Sequence, residues 1–171
     1  GVMQYQGGDL FASDMLSGFW RLRYTGGAFS VVGGGNNVPE RFTSDLWVQN
    51  GYGYTGGWGN RGTQPGNAVK VWQLGAGTPL LVDSVVTSGI TTVSDVQVSA
   101  DGKLLVFSAE NGPNAGRHVY SLAASPAQPV FLAKYPVAQG LHTATVETVA
   151  GRTFVFAARN PANPALMTFE I

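Results

Sequence analysis

The 171-residue chain contains no cysteine. Disulfide staples, thiolate nucleophiles and thiolate metal sites are therefore excluded, while the compartment stays open. Charge is scarce as well: Asp, Glu, Lys and Arg make up 12% of the chain, with ten basic and ten acidic residues. Nothing there builds the basic face that phosphate backbones require, so no nucleic-acid partner is expected. No apolar run reaches the length of a membrane span. The chain opens at Gly1 without a signal-peptide pattern, as a processed or trimmed product does. Almost no segment carries helical periodicity. Catalytic signatures are missing too: there is neither a Gly-x-Ser-x-Gly elbow nor a His-Glu-x-x-His metal motif, and the only histidines are His118 and His142.

Glycine is plentiful, at 24 residues. Short runs of Val, Phe, Tyr, Trp and Thr alternate with clusters of Gly, Pro, Asn and Asp, the signature of strands and turns. These runs repeat at roughly 48 to 51 residues, and a repeat of that length fixes architecture before any single motif is read. Thr43-Ser44-Asp45-Leu46-Trp47-Val48 aligns with Val93-Ser94-Asp95-Val96-Gln97-Val98 and with Leu141-His142-Thr143-Ala144-Thr145-Val146. Asn50-Gly51, Asp101-Gly102 and Ala150-Gly151 follow at matching places, with Gly7-Gly8 in a further copy at the start. Such dipeptides suit the positive φ values of a tight type I′ hairpin. Outer strands are expected after Pro79 and Pro129, because proline is tolerated where no ladder donor is needed.

The expected fold is therefore all-β: a β-propeller of four-stranded antiparallel blades, with repeats at about 1–34, 41–87, 93–137 and 141–171. The last repeat lacks its outer strand. A two-sheet sandwich is the alternative, but it gives no reason for so close a repeat. An edge left open at Leu166 to Ile171 calls for cover, which favours self-association. Two copies closing one eight-bladed ring as an isologous dimer would supply it.

Candidate sites follow from repeat equivalence. Asp45, Asp95 and His142 stand where the innermost strands begin, at the mouth of a central channel, and could hold a cation such as calcium or a polar ligand. The competing reading makes Ser and Asp there architectural, capping backbone amides and tying blades together. Asp14, Trp58, Glu110 and Arg159 end the second strands and so share one rim. With Arg61 in the loop 56–67, they form a candidate partner-binding edge, since Trp and Arg are favoured at binding hot spots. Gly33-Gly34-Gly35-Asn36-Asn37 lacks the Lys-Ser/Thr and helix of a phosphate loop. Asn160-Pro161-Ala162-Asn163-Pro164 reads as a rigid turn.

The segments Ser44 to Val48, Ser94 to Lys103, and Val119 to Leu122 running on to Gln128-Pro129-Val130 resemble the LVIVD-repeat β-propellers of bacterial extracytoplasmic proteins. The resemblance spans nearly the whole chain. It implies the propeller fold and an extracytoplasmic or secreted setting, and it assigns no activity. Asp9 to Leu22 looks like such a family's final blade, yet it comes first here. The order therefore reads as circularly permuted around Thr25 to Ala28, or as part of something longer. The functional expectation is a non-catalytic binding or assembly scaffold without a required cofactor. The alternative is a metal-dependent, lactonase-like propeller hydrolase using Asp45, Asp95, Glu110 and His142.

Overall fold

A computed structural model describes residues 1–35, 39–159 and 162–171. Asn36 and Asn37 of the glycine run, and Asn160 and Pro161 of the expected turn, lie outside the described residues. Among the described residues every regular element is a strand. Sheet one is β1 (Met3–Gln6), β2 (Asp9–Asp14), β3 (Gly18–Thr25) and β4 (Ala28–Gly34), in that spatial order. Sheet two uses β5 (Phe42–Gln49), β6 (Tyr52–Trp58), β9 (Ala68–Gln73) and β10 (Leu80–Val86). A two-stranded ribbon, β7 (Asn60–Arg61) with β8 (Gln64–Pro65), rides in its long loop. Sheet three is β11 (Thr92–Val98), β12 (Leu104–Glu110), β13 (Gly116–Ser121) and β14 (Val130–Pro136). Sheet four has three strands, β15 (Leu141–Val149), β16 (Arg152–Arg159) and β17 (Ala165–Glu170). Every strand pairs antiparallel with its neighbour, so each sheet is a meander.

The turns explain the meanders. Gly7 and Gly8, Asn50 and Gly51, and Ala150 and Gly151 all have positive φ, as a type I′ hairpin demands. Asp101-Gly102 departs from that expectation: only Gly102 is left-handed. Its N–H donates to Ser99 O at 2.8 Å, and Asp101 Oδ1 accepts from Ser99 Oγ at 2.7 Å and Lys103 N at 3.1 Å. The aspartate side chain organises a longer turn, so its own backbone need not become left-handed.

Three apolar clusters fill the spaces between successive sheets. Phe11 and Phe19 of sheet one meet Leu46, Val48 and Trp72 of sheet two. Tyr54, Val69 and Val71 of sheet two meet Val96, Val98, Leu105 and Phe107 of sheet three. Val106 and Val119 of sheet three meet Leu141, Ala144, Val146, Val155 and Ala157 of sheet four. Each sheet thus has a leading face toward the sheet before it and a trailing face toward the sheet after it. The two middle sheets are buried on both faces, whereas β14 is exposed throughout, as an outermost strand should be. This is a propeller-like succession of sheets, in which, among the described residues, the leading face of sheet one and the trailing face of sheet four carry no neighbouring sheet.

Leu105 and Leu10 hold equivalent places: each pairs with the innermost strand, opposite Val98 and Tyr5 respectively. Leu105 is fully buried and Leu10 only partly so. Leu105→Ala is expected to lower unfolding free energy by about 2–5 kcal/mol, and Leu10→Ala by under about 1 kcal/mol, in urea melts. Ala150 pays the left-handed backbone cost that Asn50 avoids at the same turn position. Ala150→Asn should therefore stabilise the fold by about 0.5–1 kcal/mol in the same assay.

Candidate functional site

The innermost strands β1, β5, β11 and β15 converge on one cavity of about 440 Å³. It is lined by Gly1 and Val2 just ahead of β1, Met15 of the β2–β3 turn, Thr43 to Asp45 and Trp58 from sheet two, Ser94 and Asp95 from sheet three, and His142 and Thr143 from sheet four. The three channel-mouth residues expected from the repeat, Asp45, Asp95 and His142, are thus brought together. Their chemistry divides, however, into two separate arrangements.

Asp45 and Asp95 reach forward to the next sheet. Asp45 Oδ2 accepts from Val96 N at 2.8 Å, and Asp95 Oδ2 accepts from Ala144 N, also at 2.8 Å. Ser44 Oγ donates to Val93 O at 2.5 Å, and Ser94 Oγ to Leu141 O at 3.1 Å. The physical need is plain. An innermost strand pairs on one edge only, so alternate N–H and C=O groups on its other edge would be buried without partners. The Ser-Asp pair supplies one donor and one acceptor to that edge. Gln4 serves sheet two in the same way: its amide receives Val48 N at 2.6 Å and donates to Val48 O at 2.8 Å. Gln97 receives Val146 N at 2.8 Å and donates to Thr145 Oγ1 at 3.1 Å. The glutamines were missed in the sequence, although Gln97 lies within the aligned strand. Their signal was position alone, two residues after Asp95 on the same face.

Asp45 and Asp95 also face each other. Burial, then a hydrogen bond that the protonated carboxyl donates to Asp45, and the charge of Asp45, push the Asp95 carboxyl up to about 8, against the pull of the Ala144 and Val96 amides. Two carboxylates so placed hold one proton between them near neutral pH.

The second arrangement gathers Trp58, Glu110 and His142. Asp14, Trp58, Glu110 and Arg159 each end a second strand, as their repeat equivalence implied. Only Trp58 and Glu110 of these meet His142. Glu110 is almost fully buried, with Oε1 2.6 Å from His142 Nδ1. Trp58 stands edge-on to the imidazole, with centroids 5.9 Å apart at 79°.

The remaining rim residues are engaged with backbone and side-chain groups of nearby loops. Asp14 Oδ1 accepts from Leu16 N, Ser17 N and Ser17 Oγ, which closes the β2–β3 turn. Those bonds hold its carboxyl below the usual range. Arg61 does not project outward: its guanidinium donates to Leu16 O and Arg41 O, both at 3.3 Å, and lies over the Phe42 ring. Arg159 Nε donates to Asn163 O at 2.5 Å, tying down the loop before β17.

Among the described residues no three His, Asp or Glu side chains converge so as to hold a metal ion. Asp45, Asp95, Glu110 and His142 accordingly do not fit a common metal centre. No protein-family model and no curated protein matches this sequence. Among solved structures the chain is similar to the GH43 BlXynB protein from Bacillus licheniformis, at 15% identity and a TM-score of 0.49. That match covers 98% of this chain and 38% of the other, so this chain spans well under half of that protein's length. At this level the likeness transfers no activity. What the fold and cavity define is a repeat-built, propeller-like all-β chain.

The Asp45–Asp95 pair sets a pH dependence. The folded-state pKa of Asp95 lies above its unfolded value, so its contribution to stability is complete at low pH and is lost as pH rises through about 8. Asp95→Asn keeps an acceptor for Ala144 N and carries no titrating proton. Between about pH 6 and about pH 9 the native chain is expected to lose at least about 1 kcal/mol, or ~2–4 °C in Tm, which the variant should not lose. Scanning calorimetry at both pH values is the check.

Proposed function

We propose that this chain is a non-catalytic propeller-type scaffold whose blades serve binding and assembly rather than turnover. One observation carries the reading. The polar side chains that the repeat places at the axis are engaged by the neighbouring sheet's backbone or by one another. Asp45 serves Val96, Asp95 serves Ala144, and Glu110 serves His142. A carboxylate fixed in this way holds two sheets in register, and moving it to handle a substrate proton would release a buried amide. The retained interaction chemistry is the axial cavity with Trp58 at its mouth and the apolar faces at the two ends of the succession. The likeness of Ser94 to Lys103 and its neighbours to LVIVD repeats supports the scaffold role and an extracytoplasmic setting.

The rival reading is the metal-dependent hydrolase. It is disfavoured because its four residues split into a proton-sharing carboxyl pair and a Glu–His pair. Melting with excess calcium and then with chelator separates the two. The scaffold reading expects the two Tm values to agree within about 1 °C. A rise of several degrees with calcium, reversed by chelator, corresponds to metal bound at 100 Kd or more, about 2.7 kcal/mol, and would reinstate the hydrolase.

A further inference from the structure

The leading face of sheet one is apolar across all of its strands. Register places Met3 and Tyr5 of β1 opposite Ala12 and Leu10 of β2, and these opposite Trp20 and Leu22 of β3. Val31 and Phe29 continue the face onto β4, opposite Leu22 and Tyr24. No Asp, Glu, Lys or Arg stands among these positions. On the innermost strands of the other sheets the matching positions are core, while the outer strands β10 and β14 are largely exposed, as β4 is. Val96 and Val98 of β11 are 0% and 3% exposed, whereas Met3 and Tyr5 are 70% and 69% exposed. Soluble chains seldom leave a contiguous apolar face of this kind bare.

We infer that this face is the contact surface for a second copy of the chain, joined face to face about a two-fold axis. The inference deepens the scaffold reading and rests on it. Three features select this occupant. First, the positions named on this face are uncharged, and the one carboxylate in line with them, Asp14 at the end of β2, is exposed at the rim and held within its own turn, so placing the face against itself strands no buried charge, and isologous pairing is the commonest mode of association. Second, Tyr5, Trp20, Tyr24 and Phe29 place four aromatic side chains on the face beside Met3, Leu10, Leu22 and Val31, the kind of large apolar payload that a stable interface, at about 800 Å² per partner, draws on. Third, the other bare face is less suited. The trailing face of sheet four carries Glu147 and an Arg152–Glu170 ion pair, and it lacks the chain's own sheet-joining groups. Thr143 stands there in place of Asp95, Thr145 in place of Gln97, and Ala158 in place of Ser108. A ring closed by two trailing-to-leading junctions would use that poorer face twice. The face-to-face dimer uses the better one once.

Sedimentation equilibrium at micromolar concentration tests this on the whole chain. The expected species has twice the 17.9 kDa chain mass. Tyr5→Glu and Val31→Glu replace exposed side chains, so folding should survive, as an unchanged Tm at single-chain mass would verify. Each should weaken association at least about 100-fold, while Leu166→Glu on the trailing face leaves it intact. A native chain that sediments as a monomer overturns the inference. So does a dimer that Leu166→Glu disrupts, because it points to ring closure through sheet four. Neither result touches the scaffold reading, which stands or falls on the calcium and chelator melts.

Discussion

A sheet with two apolar faces cannot be stable alone, and this constraint organises the molecule. A strand alternates its side chains between faces, so Val96 and Val98 point back into the cluster with Tyr54 while Asp95 and Gln97 point forward. The second strand of sheet three is apolar on both sides, as Leu105 with Val106 and Phe107 show. Each sheet therefore demands a neighbour before and after it. A succession of such sheets is the outcome, and its two ends inherit the unmet demand.

The hydrogen-bonded latches solve the companion problem at the axis. Apolar contact between sheets is weakly directional, and two flat faces can slide by a residue without losing much area. A serine donor and an aspartate acceptor, aimed at one C=O and one N–H of the following strand, allow a single offset. That explains why Ser-Asp recurs at the same point of two repeats and why Gln4 and Gln97 do the same work nearby. It also explains the shared proton. Consecutive latches come from consecutive strands around a narrow axis, so their carboxyls approach each other, and protonation removes the repulsion. The unusual acid is a by-product of the packing.

Much of this was legible in the chain. Four-residue sheet order, the proline-led outer strands at Leu80 and Val130, and three of the four hairpins followed from alternation and turn residues, because those signals are local. Asp45, Asp95 and His142 were placed at one cavity by repeat arithmetic alone. What arithmetic could not supply was direction. Asp14, Trp58, Glu110 and Arg159 share a repeat position, yet each side chain turns according to its own loop. Arg61 looked free because its partners, the carbonyls of Leu16 and Arg41, are backbone groups that no sequence pattern marks.

The fourth repeat shows what happens when the constraint is lifted. Among the described residues no sheet packs on its trailing face, and no serine–aspartate pair stands at the start of its innermost strand. His142 and Thr143 occupy those places, and the imidazole turns back toward Glu110 and Trp58 instead of forward. The cavity is consequently asymmetric: on one side lie carboxyls fixed by architecture, on the other a half-exposed histidine held by a buried glutamate. If the cavity takes a small ligand, its adjustable contact is the last repeat's histidine and not the acids that the repeat preserves.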